Sequence, residues 1–297
     1  RPLFISFSGG ARPGWDCLFI EEGGEGAPEP FLPAEPPAEV RAQPKALEAL
    51  ARRCFSVDAL RPGQAEAVQA LLEGRDVAAL LPTGSGKSLI FHLAALLRPG
   101  VGVVVEPLLS IIEDQRRTLA LQGITAVGAF GSPEATSALS AGRLILAFAS
   151  PERFAAQGFR TALRAAAEGA GVGFVAVDEA HCVSGWGHDF RPAFLSVGRR
   201  ARRWAEGPSG EPPLAALTGT ATRAQLGEAV SELGLRRPIS VARSLARPEL
   251  SFVVERCGAG EHLPRLRRWL SRHPGARFGP GLIFCGTVDG RLGAAAV

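Results

Sequence analysis

Methionine is absent from this 297-residue sequence, and lysine occurs only twice, at Lys45 and Lys87. The other 31 of its 33 cationic side chains are arginines. Arginine can replace lysine wherever only a positive charge is needed, so a lysine kept in such a sequence marks a position where the ammonium group has a specific task. Because the chain also begins with Arg1 rather than methionine, we expect it to be a fragment of a longer product.

Long apolar runs and paired cysteines are missing as well. No run approaches the roughly 18 apolar residues that a membrane span requires, and no basic stretch leads into an apolar one at the N-terminus. The sequence therefore predicts a cytoplasmic protein that does not bind a membrane. The cysteines form no C-x-x-C pair, which favours free or structural thiols over a zinc site or a disulfide framework. They are Cys17, Cys54, Cys182, Cys257 and Cys285.

The N-terminal 45 residues differ from the remainder in composition. They hold 8 of the 23 prolines and a net charge of −3, whereas residues 46–297 carry +7. A segment rich in proline and acidic residues is typical of an irregular linker. We therefore predict an N-terminal segment and linker over residues 1–45, followed by globular structure, since hydrophobic residues make up 46% of the chain.

Residues 46–248 alternate between short apolar runs and longer stretches with helical periodicity. Strands that are apolar throughout and separated by helices predict a parallel sheet covered on both faces, which is a doubly wound α/β domain. The predicted strands are Val77–Leu81, Val101–Val105, Thr125–Ala129, Leu144–Phe148, Phe174–Val177, Leu214–Leu217 and Ile239–Val241. The predicted helices are Gly63–Glu73, Lys87–Leu97, Leu108–Leu121, Phe159–Glu168, Arg199–Glu206 and Arg223–Leu233.

Residues 249–297 have the pattern of a second, smaller unit. A strand from Ser251 to Glu255, an amphipathic helix from Glu261 to Ser271 and a strand over Gly281–Cys285 are predicted there. One such unit cannot bury both faces of its own strands. We expect it to be the truncated start of a second α/β domain.

A glycine-rich segment follows the first predicted strand and leads into a predicted helix. It consists of Thr83, Gly84, Ser85, Gly86, Lys87 and Ser88. Backbone amides of such a loop can bind a triphosphate, while the lysine reaches the β- and γ-phosphates and the serine hydroxyl binds Mg²⁺. In its strand-loop-helix context the segment predicts an ATP-binding phosphate loop rather than a glycine-rich turn with a solvated lysine.

An acidic pair, Asp178 and Glu179, ends the predicted strand Phe174–Val177 and is followed by His181. Alone, such a pair is usually a helix cap or a surface charge. Following a phosphate loop and an α/β pattern, it predicts catalytic carboxylates. Asp178 would hold Mg²⁺ through water, and Glu179 would orient and deprotonate the attacking water.

An aromatic-rich stretch from Cys182 to Pro192 comes next, and it resembles the loop that RecQ-family DNA helicases carry at this place. Other signatures of that family occur in order: an adenine-reading motif at Leu60–Gln64, motif Ia from Val105 to Gln115, a DNA-contact motif at Ser150–Arg153, motif III at Leu217–Thr222, Arg247–Pro248 at the interdomain crossing, and the start of motif IV at Leu282–Cys285. The resemblance covers about residues 50–290. It implies a RecA-like P-loop NTPase fold with the start of a second RecA-like domain.

The resemblance also implies roles for individual side chains. Arg61 and Gln64 would bind adenine, since a guanidinium can stack on the ring and an amide suits its polar edge. Thr218 and Thr220 would link the acidic motif to the interdomain cleft, and Gly219 stands where relatives have alanine. DNA contact or coupling is implied for Pro107, Ser150, Pro151, Glu152, Trp186, His188, Phe190 and Arg191.

Two arginine clusters permit two interpretations. They are Arg199, Arg200, Arg202 and Arg203 in one helix, and Arg265, Arg267 and Arg268 in another. Such clusters can bind nucleic acid, but arginines on a helix face are more often simply solvated.

We therefore expect the N-terminal motor portion of a RecQ-type superfamily 2 helicase. By resemblance, the complete enzyme uses ATP and Mg²⁺ to move 3′ to 5′ along single-stranded DNA and to unwind duplex DNA in DNA repair and recombination, associating with the bacterial nucleoid when on DNA. No later segment resembles motifs V and VI, so we expect the chain to lack them. Two alternatives stay open: a catalytically incomplete ATP-dependent DNA-binding module, and a DEAD-box-type RNA helicase, against which the aromatic stretch argues.

Overall fold

A sheet of seven strands organises the part of the chain that the computed structural model describes, which is residues 44–184, 191–244, 254, 256, 258 and 261–272. The strands are β1 (Val77–Leu80), β2 (Val101–Val105), β3 (Val127–Ala129), β4 (Leu146–Ala149), β5 (Val172–Val177), β6 (Leu214–Thr218) and β7 (Ile239–Ala242). Their order is β3-β4-β2-β5-β6-β1-β7, and all neighbours run parallel. The predicted α/β fold class is confirmed.

Helices cover both faces of this sheet. They are α1 (Pro44–Phe55), α2 (Gln64–Leu72), α3 (Ser88–Leu97), α4 (Leu109–Leu121), α5 (Pro133–Ser140), α6 (Pro151–Phe154), α7 (Gln157–Glu168), α8 (Val197–Ala205) and α9 (Arg223–Glu232), with short 3₁₀ turns at Ala180–Val183 and Pro192–Ser196. A further helix, α10 (His262–Arg272), belongs to a separate compact unit of the chain. One hydrophobic cluster packs α1 to α4 against the sheet, and a second packs α7 to α9. Side chains of β2 enter both clusters, which is why that strand is apolar throughout.

All seven strands predicted within residues 46–248 form, whereas α1, α5 and α6 lie where no helix is predicted. The signals for α5 and α6 are present in the sequence. The Ser132 hydroxyl accepts a hydrogen bond from the Ala135 N–H at 3.1 Å, and the Ser150 hydroxyl accepts one from the Arg153 N–H at 3.3 Å. A capping serine followed by proline favours a helix start, because proline lacks the N–H that would be unpaired there.

Several predictions lie mainly or wholly outside the described residues. They are the linker before residue 44, the strands at 251–255 and 281–285, and the motifs at 247–248 and 282–285. The predicted helix Glu261–Ser271 forms as α10. The chain divides into two compact units, Arg1–Ala246 and Arg247–Val297. No helix in the described ranges is long and apolar enough to cross a bilayer.

Asp76 ties together the amino ends of several elements. Its buried carboxylate accepts hydrogen bonds from the Leu214 N–H (2.8 Å) and the Arg236 N–H (2.6 Å) and pairs with the Arg202 guanidinium. Arg202 also lies 3.3 Å from Glu211. The Arg202 side chain is only 13% exposed. Arg202 is therefore a structural ion-pair partner and belongs neither to a nucleic-acid patch nor to a solvated helix face.

Replacing Asp76 by alanine is expected to destabilise the fold by about 3–5 kcal/mol, because the largely buried Arg202 guanidinium would keep only Glu211 as a partner and two backbone N–H groups would lose their acceptor. Asp58→Ala is the control, since the Asp58 side chain is 99% exposed, and we expect a change within about 0.5 kcal/mol. Urea unfolding at pH 7 measures both variants. A loss comparable to that of the control would show that this ion pair does not hold the sheet edge.

Candidate functional site

Three loops converge where β5, β6 and β1 end. The register pairs Leu80 of β1 with Thr218 of β6, and Val177 of β5 with Ala216 of β6. Because the carboxyl ends of parallel strands lie at the same edge of a sheet, the segments that follow these strands meet there. The predicted phosphate loop, acidic pair and motif III are those three segments.

The predicted phosphate loop occupies residues 81–87, between β1 and α3. Gly84 and Gly86 have φ angles of 76° and 74°, in the left-handed region that favours glycine. At the start of the loop, the Leu81 N–H donates to the Thr218 carbonyl at 3.0 Å. Lys87 and Ser88 then stand at the amino end of α3, where free backbone N–H groups and the helix dipole favour an anion.

Arg61 and Gln64 contact this loop directly. Gln64 Nε2 donates to the Ser85 and Gly86 carbonyls, both at 2.9 Å, and its Oε1 accepts from the Arg61 N–H at 2.7 Å. The Arg61 guanidinium donates to the Gly84 carbonyl. Gln64 is 2% exposed, and both ends of its amide are bonded to protein atoms. To bind adenine, the Gln64 amide would have to give up these hydrogen bonds.

Asp178 and Glu179 follow β5 without a gap. Asp178 is 6% exposed, and its Oδ1 accepts from the Glu179 N–H at 2.9 Å. Burial raises the pKa of Asp178 to about 6. Glu179 has a φ of 48°, a left-handed conformation that costs a residue with a side chain on the order of 1 kcal/mol or more and is concentrated at functional sites.

His181 joins the acidic segment to the end of β6. Its Nδ1 lies 3.0 Å from Thr218 Oγ1, 3.3 Å from Thr220 Oγ1 and 3.2 Å from Glu179 Oε2. The Cys182 sulfur, 3.8 Å from Nε2, and the Glu179 carboxylate raise the pKa of His181. The imidazole in turn lowers the pKa of Glu179. Both threonines therefore reach the acidic motif through the His181 ring.

Gly219 lies between the two threonines, and its missing side chain makes room for Lys87. A Cβ atom at residue 219 would lie 2.6 Å from Lys87 Nζ and 3.2 Å from the Leu81 carbonyl oxygen. The ammonium group therefore fills the space that an alanine at this position would take.

Glu106 is a buried carboxylate at this edge that the sequence does not single out. It follows β2, is 2% exposed, and its Oε1 accepts from the Leu108 N–H at 3.1 Å. Burial, with the Asp178 charge as a second cause, raises the pKa of Glu106 to about 7. Its proximity to Asp178 follows from the pairing of β2 with β5, and motif spacing carries no signal for that pairing.

The residues predicted to contact DNA occupy different environments. Ser150 and Pro151 are buried, where Ser150 caps α6, while Glu152 is exposed. Pro107 is buried, and its carbonyl accepts from the Arg191 guanidinium at 2.9 Å. The DNA contact predicted for Ser150, Pro151 and Glu152 stays a prediction. Three further predicted residues lie outside the described ranges: Trp186, His188 and Phe190.

Comparison with known families decides the assignment of this site. A family model described as DEAD/DEAH box helicase matches residues 61–228, which is more than half of the chain. The chain belongs to the DEAD/DEAH box helicase family. The matched range includes the phosphate loop, the acidic pair and both threonines of the β6 end.

The helicase domain is similar in sequence to curated DNA helicases. It is 31% identical to the probable ATP-dependent DNA helicase RecS of Bacillus subtilis, over 78% of this chain and 46% of that protein. It is 36% identical to the ATP-dependent DNA helicase RecQ of Synechocystis, over 77% of this chain and 49% of that protein. The resemblance to the RecQ family is thus confirmed, and the chain spans about half the length of these relatives.

A solved helicase shares the fold. The DUF1998 helicase MrfA superposes with a TM-score of 0.58 over 81% of this chain and 38% of that one, at 17% sequence identity. At this low identity the likeness extends to the fold alone. It agrees with the parallel sheet of the described residues.

The oxygen atoms at this edge of the helicase domain fit a magnesium ion. At this edge, among the described residues, Ser85 Oγ is buried without a hydrogen-bond partner. Mg²⁺ usually takes one or two protein ligands and completes its shell with water and phosphate. Ser88 and Asp178 supply a hydroxyl and a carboxylate of the kind it prefers.

Replacing Glu106 by glutamine is expected to stabilise the domain at pH 8 but not near pH 5. With a pKa of about 7, folded Glu106 keeps a proton that the unfolded chain releases at about pH 4.5. The free energy of unfolding of the unmodified domain therefore falls as the pH rises from about 4.5 to about 7, and this stability stays lost at higher pH. Glutamine keeps an acceptor for the Leu108 N–H and carries no charge. We expect a gain of roughly 1–3 kcal/mol at pH 8, measured by urea unfolding at both pH values.

Glu232→Gln is the control for this measurement, since Glu232 is exposed at the end of α9. Its effect is expected to be small at both pH values. An equal change of stability at pH 5 and pH 8 in Glu106→Gln would contradict the raised pKa.

Proposed function

We propose that this chain is the nucleotide-binding motor domain of an ATP-dependent DNA helicase of the RecQ type. The observation that carries the proposal is the convergence of the phosphate loop, the acidic pair and the two threonines of the β6 end at one sheet edge. The relatives named RecS and RecQ support DNA as the nucleic acid. The complete enzyme would move 3′ to 5′ along single-stranded DNA and separate duplex DNA in repair and recombination.

Each side chain of the edge has a role in this proposal. Lys87 meets the β- and γ-phosphates of ATP, while Ser88 and Asp178 hold Mg²⁺, which supplies charge to neutralise the transferring phosphate. Glu179 orients the attacking water and accepts its proton. Its lowered pKa keeps this carboxylate ionised near neutral pH, as a proton acceptor must be.

His181 carries the coupling in this proposal. It lies within 3.3 Å of Glu179 and both threonines, so a movement of the β6 end shifts the carboxylate that positions the water. On the DNA side, Trp186 and Phe190 would stack on unpaired bases, as aromatic side chains do in single-strand binders. Arg191 would transmit their position through its bond to the Pro107 carbonyl.

Hydrolysis of ATP should depend on Lys87 and Glu179 in different ways. Lys87→Ala is expected to lower DNA-stimulated turnover by about two orders of magnitude, because a charge that stabilises the transition state is removed. Glu179→Gln should keep nucleotide binding and stop hydrolysis. Phosphate release with and without a single-stranded oligonucleotide measures turnover, and Lys45→Ala tests the other lysine, which is exposed on α1.

The same assay separates the alternatives. Nucleotide binding without stimulated turnover by the unmodified chain would favour the ATP-dependent DNA-binding module. Stronger stimulation by RNA than by single-stranded DNA of the same sequence would overturn the DNA assignment in favour of an RNA helicase.

A further inference from the structure

The Ser88 hydroxyl has a hydrogen-bond partner from outside the phosphate loop. Gln115, on α4, donates from Nε2 to Ser88 Oγ at 2.9 Å. A serine hydroxyl has two lone pairs and one hydrogen. The Gln115 bond uses one lone pair, which leaves the second for a metal ion and the hydrogen for an acceptor. The contact therefore fixes the rotation of the hydroxyl without blocking its use as a ligand.

A buried histidine of α3 lies on the other side of Gln115. His92 stacks on Phe55 with ring centroids 5.6 Å apart and meets Phe91 edge-on at 4.8 Å. Burial lowers the pKa of His92 to about 4, against a hydrogen bond to Gln115 that raises it, so the ring is neutral at pH 7. The Gln115 amide is therefore in contact with two residues of α3, Ser88 and His92.

The amino end of α4 is connected to Arg191, near the end of the aromatic-rich stretch. Glu106 Oε1 accepts from the Leu108 N–H, directly before α4 begins at Leu109, and the Pro107 carbonyl accepts from Arg191. Residue 115 lies less than two helical turns further along. One rigid element therefore spans the distance from the Arg191 contact to the Ser88 hydroxyl.

We infer that Gln115 is a positioning residue that aims the Ser88 hydroxyl at Mg²⁺, and that α4 connects this hydroxyl to the turn at residues 106–108 that holds Arg191. The inference rests on the proposed function, because the magnesium site belongs to the proposed ATPase. It gives the DNA side of the domain a route to the metal that is separate from the one through His181.

Binding of the fluorescent nucleotide mant-ADP, titrated with MgCl₂, tests the inference without requiring turnover. Leucine has a size similar to that of glutamine and neither of its polar groups. For Gln115→Leu we expect mant-ADP affinity in EDTA within about twofold of the unmodified chain and a five- to tenfold higher MgCl₂ concentration for half of the magnesium-dependent tightening, roughly the size of one lost hydrogen bond. A merely structural role would weaken binding equally with and without MgCl₂.

Matched variants keep this test decisive. Gln122→Leu makes the same substitution one residue beyond α4, and we expect no shift in MgCl₂ dependence. Gln115→Asn, too short to reach Ser88, replaces the leucine variant if thermal melting shows that the latter fails to fold. In a Ser88→Ala background, Gln115→Leu should add no further shift, because both changes remove the same interaction.

The outcomes separate the two levels of the proposal. Equal MgCl₂ dependence of the unmodified chain and the Gln115 variants, or an equal loss of affinity in EDTA and in MgCl₂, would overturn the positioning role and leave the proposed function standing. If the unmodified chain showed no magnesium-dependent binding of mant-ADP, the proposed function itself would fall.

Discussion

The parallel pairing of β5, β6 and β1 is the constraint on which the rest of the site depends. Its register sets the last residues of the three strands side by side, and the bond from the Leu81 N–H to the Thr218 carbonyl continues that pairing one residue past β1. Segments far apart in sequence become neighbours through backbone hydrogen bonds alone. A slip of one residue would turn the side chains of a strand to the opposite face and misplace the loop that follows it.

Buried carboxylates have different partners at the amino ends and at the carboxyl ends of the strands. At the amino edge, Asp76 has backbone and arginine partners, and its charge is compensated within the domain. At the carboxyl edge, burial raises the pKa of both Glu106 and Asp178. The carboxylate at the amino edge is therefore neutralised by groups of the domain, whereas those at the carboxyl edge would be stabilised by a positive ligand. Carboxylates with perturbed pKa values are common at functional sites.

Local patterns were sufficient to predict the strands, and they mark the loops that the fold brings together. Each strand is an apolar run bounded by turn residues, and the phosphate loop and acidic pair are defined by short spacings. Strand order has no such local signal, so the placement of Glu106 beside Asp178 could not be predicted. The same limit applies to Gln64, whose amide bonds to loop carbonyls, and to Ser150, which is buried as a helix cap, because tertiary packing determines the partners of a polar side chain.

The close approach of Lys87 to Gly219 links the end of β6 to the phosphate loop. The Lys87 ammonium group lies where a side chain at residue 219 would be, and in the proposed ATPase the same group binds the phosphates. Any residue larger than glycine at position 219 would have to share this space with the lysine, so the absence of one side chain directly after β6 sets where the cation of the phosphate loop can rest.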